Sequence, residues 1–385
     1  MHQPPGNLRL LLDENEWEAQ QIIRCYERVP RYARLYSDRA KIHVGFSGIL
    51  LEQLLSREIV DRYRAFVDIP AVLDAYKNSP NIEILGMGYY HPLFPLIPQE
   101  DWKDQLEMGR SILGEVFGRE PTGFWPPEMA FDMKMIPALA EAGYEYVVVD
   151  NVHVQAPDGC PVDKYRPHLA CEGGAEIAVI PRDRDLSNAQ ESGLDAEWFI
   201  DRVTNAVRDD SRGAPALVTT WSDGENGGWF RQMAEEAGFF GHFFAPFMER
   251  VASGTSPVAP SLISDFLKVN PPESEVVVRT GAWNVADTSG YDFSHWDGSP
   301  AQREAIEKVF EVSRRYWSLR RSGVPDEFLD KLEEARGVIL ESETSCFLYW
   351  GDAWIPMLHE RTVRAERILK DIETHAGRNG WMGRQ

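Results

Sequence analysis

Cysteine is scarce and scattered: Cys25, Cys160, Cys171 and Cys346 are the four in 385 residues, with no CxxC and no Cys/His cluster. That usage gives no support to a disulfide framework and argues against structural zinc. Long apolar runs are also missing. Nothing approaches the roughly 18 apolar residues of a membrane-crossing helix, and the opening MHQPPGNLRL has no signal-peptide core. Basic residues are outnumbered, 40 against 61 acidic, for a formal net charge of −21. Phosphate-bearing partners reward basic patches, so nucleic acid and anionic membranes are disfavoured. A neutral substrate and a cytoplasmic location are the expectations. There is no low-complexity linker and no repeat of fixed period.

What is present is apolar and aromatic. Apolar residues make up 43% of the chain, enough for a sizeable core. Twelve Trp and thirteen Tyr serve either as core or as platforms for sugar rings, which offer apolar faces and polar edges. Short β-branched runs predict strands at 41–46, 82–87, 122–126, 144–150, 175–180 and 215–221. Helical stretches lie between them, such as 100–118, closed by a Gly, and 132–144. Buried parallel strands joined by helical crossovers explain the alternation. From about residue 300 the pattern turns helical, through 299–323, 326–350 and 355–377. The fold class is therefore α/β, with a barrel-like domain over 1–260 and a C-terminal helical region over 261–385 packed on it.

In parallel α/β folds, chemistry gathers in the loops after the strand C-termini. Glu128 follows strand 122–126 in GFWPPEMAF, where Trp, Pro-Pro and Met give a carboxylate little solvation. Asp223 and Glu225 follow strand 215–221 in TTWSDGENGGWF, among glycines that let backbone approach a ligand. Two carboxyl groups on different strand ends, each beside a Trp, suit cleavage of a glycosidic bond, provided that their pKa values are pushed apart. The structural alternatives are a helix N-cap for Asp223 and a solvated loop acid for Glu128. His91, after two tyrosines, is either a sugar-hydroxyl partner or a turn histidine before Pro92. Glu83, inside a strand, needs a partner or faces the lumen. Trp283 is either a sugar platform or a plug between domains.

Taken in order, several stretches resemble glycoside hydrolase family 57, retaining α-glucan-active enzymes with a seven-fold β/α barrel and a helical bundle. They are HQPPG (2–6), IEILGMGYYHPLFPLIP (82–98), GFWPPEMAF (123–131), WSDGENGG (221–228), TGAWNV (280–285) and TSCFLYWGDAW (344–354). The resemblance spans essentially the whole chain. It implies that Glu128 is the nucleophile and Asp223 the general acid/base. It further implies that His2, Glu83, His91, Trp221 and Trp283 line the subsite at the scissile bond, with Trp125 and Trp350 as further substrate contacts. It implies no metal and no cofactor.

Two departures from that family accompany the resemblance. The opening motif normally ends a first barrel strand, and Met1 stands where that strand would finish, so the expected (β/α)7 barrel has its first strand missing. The bundle motif reads Glu343-Thr344-Ser345-Cys346 where many relatives carry an Asp near the Trp. The competing expectations are an α-galactosidase of the same family, a metal-dependent relative such as a polysaccharide deacetylase or α-mannosidase, and a non-catalytic glycan-binding protein.

Overall fold

The computed structural model describes residues 1–208, 215–225, 227–232, 234–285 and 292–378. The β-branched runs fold as β1 (Ile42–Gly45), β2 (Ile82–Leu85), β3 (Gly123–Phe124), β4 (Tyr146–Asp150), β5 (Val154–Gln155), β6 (His168–Glu172), β7 (Ala175–Arg182) and β8 (Val277–Val278). The path β1-β2-β3-β4-β7 is parallel throughout, with a single bridge from Gly86 to Phe124 joining β2 to β3. A parallel bridge between Arg182 and Thr219 adds the segment after residue 215 beside β7. All five residues of β4 are buried, as expected of a strand covered on both faces.

Three expectations need correction and one an addition. Strand 215–221 reduces to that one bridge. Strand 175–180 pairs in parallel with β4 as expected, and it is in addition the second arm of an antiparallel β6–β7 hairpin that the apolar pattern did not reveal. Helix 132–144 shortens to Ile136–Glu141, because Pro137 fits only a first turn. Helix 326–350 breaks after Ser342, where Thr344 instead forms an antiparallel bridge with Pro92. By contrast, helix Trp102–Phe117 ends as expected at Gly118, whose φ of 68° is the left-handed cap geometry that glycine adopts freely.

Between the Thr219 segment and β1 lies an apolar cavity of about 650 Å³, lined by Ile42, Val44, Phe199, Val218, Phe243 and Phe244. Met1 stands at one end of it. The Met1 ammonium donates to Gly45 O at 2.7 Å and Ser47 N donates to Met1 O at 3.1 Å, the paired bonds of a parallel ladder.

Three long C-terminal helices, Pro300–Ser322, Leu329–Ser342 and Ile355–Arg378, pack through Val312, Leu332, Ile339 and Leu369. The first is opened by a Ser299/Gln302 capping box. A second apolar cluster runs from Leu85, Trp125 and Ile180 of the sheet to Trp296, Val309 and Phe347, so sheet and helices share one core. Their joint also contains a buried polar knot. Arg336 donates to Asp101 and to Asp104, each at 2.6 Å, while Trp317 Nε1 and Ser313 Oγ also donate to Asp101.

Candidate active site

Glu128 leaves β3 through Trp125-Pro126-Pro127 and is forced into the left-handed region, φ 57° and ψ 19°, followed by Met129 at φ 50°. For residues with a Cβ each such position costs about 1–2 kcal/mol, so the surroundings must hold it. Turn bonds from Met129 N to Pro126 O (2.8 Å) and Ala130 N to Pro127 O (2.9 Å) do part of this. Trp283 does the rest at two points. Its backbone N donates to Glu128 O at 2.9 Å, and its indole Nε1 donates to Glu128 Oε2 at 2.8 Å. The Pro-Pro mount therefore yields a fixed, half-buried carboxyl rather than a solvated loop acid.

Burial pushes the Glu128 carboxyl up to about 8, and the negative charge of Asp223 adds to the rise, while hydrogen bonds from Trp283 and Ser345 oppose it. The two acids thus sense one another across the ends of different strands. Asp223 itself is exposed. Electrostatics alone would make the buried acid the proton holder, whereas the family resemblance makes it the nucleophile. The Trp283 indole, donating to Oε2, is the contact that favours the charge on Glu128 against burial and that repulsion.

His91 Nδ1 lies 2.8 Å from Ser345 Oγ and 4.0 Å from Glu128 Oε1. The His91 ring stacks on His2 with centroids 4.0 Å apart and planes 6° from parallel. Burial lowers both, His91 to about 3 and His2 well below the usual histidine value, so two neutral rings can stack. His2 is tied down through Nδ1 to Ser47 Oγ at 2.8 Å and through its backbone N–H to the Glu225 carboxylate. Burial raises Glu225, and its partners include the Met1 ammonium at 4.0 Å.

The tryptophans form a wall beside the pair. Trp125 stacks on Trp221 at 4.6 Å and meets Trp283 edge-on at 5.4 Å. Trp125 is buried, so it props up the other two more than it presents a face of its own. Glu83 is placed differently. Its carboxylate accepts from Tyr146 Oη at 2.7 Å and Ser264 Oγ at 2.9 Å, beside His43. Burial disfavours its charge, but His43 first, and then the bonds from Tyr146 and Ser264, outweigh it and hold the group at about 2. Glu83 is thus a strut between β2, β4 and the helix Ile263–Val269, and reaches the wall only through His43, 5.9 Å from Trp221. Trp350 is exposed and clusters with Tyr349 and Trp354, with the carboxyl pair not among its ring partners.

Three residues escape a reading of the sequence. Fully buried Arg182 donates to Trp221 O at 2.8 Å, pairs with Asp150 at 3.5 Å and lies 5.4 Å from the Trp283 ring, so it fastens three strand ends together. An arginine two residues past the apolar run AEIAVI was the available signal. Ser345 comes from the broken helix. Cys346 beside it has its thiol pushed up by burial and by the charges of Glu128, Asp223 and Glu225. Asn226 and residues 286–290 of the two predicted site loops lie outside the described residues.

A family model described as glycosyl hydrolase family 57 matches residues 13–279. The chain belongs to glycosyl hydrolase family 57. Among family relatives, an α-amylase of Pyrococcus abyssi is 25% identical over 96% of this chain and 50% of its own length. Among solved structures, a family-57-type branching enzyme from Pyrococcus horikoshii aligns with a TM-score of 0.71 at 17% identity, over 93% of this chain and 83% of that one. A 4-α-glucanotransferase from Thermococcus litoralis aligns at 0.68 and 20% identity, over 96% and 58%. These likenesses place the fold with the TIM-barrel-like α/β fold of the family. The chain spans about half the length of the curated relatives it matches.

Proposed function

We propose that the chain is a retaining glycoside hydrolase or transglycosidase acting on α-glucans such as glycogen, starch or maltodextrins. The observation that carries the reading is Glu128: strained, half-buried, clamped by Trp283 and electrostatically linked to Asp223 from another strand end. The Glu128 carboxylate attacks the anomeric carbon as the glycosidic C–O bond breaks, and Asp223 gives its proton to the departing oxygen. Water, or a sugar hydroxyl, then loses its proton to Asp223 and displaces Glu128. His2, His91, Trp221 and Trp283 line the subsite at that bond. Trp125 and Glu83 support it from behind, and Trp350 offers a more distant platform. No metal or cofactor takes part in these steps.

The names of the relatives, α-amylase, 4-α-glucanotransferase and branching enzyme, support the substrate class. The location is cytoplasmic in this reading; among the described residues no helix is long and apolar enough to cross a membrane. The barrel over 1–260 is seven-stranded in this reading, and the region 261–385 is a helical bundle packed on it. The parallel path β1-β2-β3-β4-β7 and the core shared by sheet and helices support that placement. Incubation with maltoheptaose, with and without chelator, tests the activity. Chelator-insensitive shorter products, alone or with longer chains, are expected. Chelator-sensitive release, or binding without turnover, would contradict the reading.

A further inference from the structure

Ser345 arrives at the site from the far end of the chain and is anchored on both sides. Its N–H donates to His91 O at 3.1 Å, and the preceding Thr344 bridges to Pro92. One residue earlier, buried Glu343 accepts from Gln105 Nε2 at 2.7 Å, and Gln105 Oε1 in turn accepts from Tyr90 N at 3.0 Å. The His91 loop and the Ser345 turn are therefore one rigid unit, although 254 residues separate the two side chains.

The Ser345 hydroxyl has a single proton and faces two partners. A carboxylate can only accept, whereas a neutral imidazole nitrogen either donates or accepts. Ser345 hydrogen-bonds the Glu128 carboxyl, and burial keeps His91 neutral. When Glu128 is ionised the hydroxyl proton points to it, so His91 Nδ1 must carry a proton and donate to Ser345 Oγ across the 2.8 Å contact. Nε2 then bears the lone pair, and among the described residues no hydrogen-bond partner of Nε2 is seen.

Resting on the proposed glycosidase reading, we propose that Ser345 is a positioning residue that fixes His91 as its Nδ1–H tautomer, leaving Nε2 to accept a hydrogen bond from a substrate hydroxyl, while supporting the charge on Glu128. When Glu128 becomes a glycosyl ester and loses its charge, the hydroxyl proton is free to turn toward His91, so the relay reports the state of the nucleophile.

Long-range ¹H–¹⁵N correlation spectra of the ¹⁵N-labelled chain read the tautomer directly. Above about pH 8, where Glu128 is ionised, Nδ1–H is expected in the unsubstituted protein and in Ser345→Thr, and its loss in Ser345→Ala. On a maltooligosaccharide, Ser345→Ala is expected to lower kcat/KM by roughly 10–100-fold and to move its acidic limb up by about one pH unit, with Ser345→Thr restoring both. A purely structural role would lower kcat/KM equally at all pH values and leave limb and tautomer in place, overturning the proposal. So would an Nε2–H tautomer in the unsubstituted chain above about pH 8, a measurement that needs no variant to fold. If the chain turns over no α-glucan, the glycosidase reading fails, yet the tautomer and a ¹³C titration of the Glu128 carboxyl in the unsubstituted and Thr chains still decide the Ser345 relay.

Discussion

Replacing Glu128 with Gln should stabilise the protein, and only at the alkaline side. The native carboxyl is raised from 4.5 to about 8, mainly because burial disfavours its charge and secondly because Asp223 repels it. A raised value means that the folded state holds this proton more tightly than the unfolded chain does. The favourable contribution is complete below about pH 4.5 and is lost as pH climbs toward 8. At about 1.4 kcal/mol per pH unit the span corresponds to roughly 5 kcal/mol. Water entering the half-open cleft and rearrangement of the exposed Asp223 side chain reduce that, leaving about 2 kcal/mol as the expected penalty. The amide of the Glu128→Gln variant keeps an oxygen to accept from the Trp283 indole but never ionises. Urea unfolding followed by tryptophan fluorescence should therefore give equal stabilities for Glu128→Gln and the parent near pH 4.5. A gap of about 2 kcal/mol in favour of the variant should open by pH 8, equivalent to a few degrees in melting temperature. Asp223→Asn should shrink the gap, because it removes the repulsive part. A gap that is absent at pH 8, or equally large at pH 4.5, would refute the burial argument for Glu128.

Asp223→Asn should slow natural glucans by roughly 10²–10⁴-fold but glucosyl fluoride far less, with azide restoring part of the rate; equal losses on both substrates would exclude Asp223 as proton donor. Arg336→Ala should cost about 3–5 kcal/mol, since it strands buried Asp101 without its cation, whereas Arg336→Lys should lose less; calorimetry checks both.

How much of this is legible in the sequence depends on range. β4 is readable as a run of valines, β1 and β2 because β-branched residues flank a single polar one, and helix Trp102–Phe117 because its end is marked by Gly118. Glu128 is legible because Trp-Pro-Pro-Glu-Met deprives an acid of water within five residues. The β6–β7 hairpin is not, since strand direction leaves no mark on apolar alternation. Helix Glu16–Leu35 carries Pro30 inside it, and its capping by Asn15 with packing of Tyr26 and Tyr32 outweighs the local signal. Glu83 reads from its strand alone only as an acid that needs a partner or faces the lumen, and the partners that hold its oxygens come from across the fold, at residues 146 and 264. Ser345 and Arg182 act through partners that only folding brings near. Their roles cannot be inferred from neighbours in the chain.

Which atom bonds to the sugar decides the mechanism. The chain should be reacted with 5-fluoro-α-glucosyl fluoride, digested, and the labelled peptide sequenced by mass spectrometry. One fluoroglucosyl ester on Glu128 is expected, absent in Glu128→Gln and accumulating in Asp223→Asn. A label on any other carboxyl, or continued turnover of maltooligosaccharides by Glu128→Gln, would contradict the central claim.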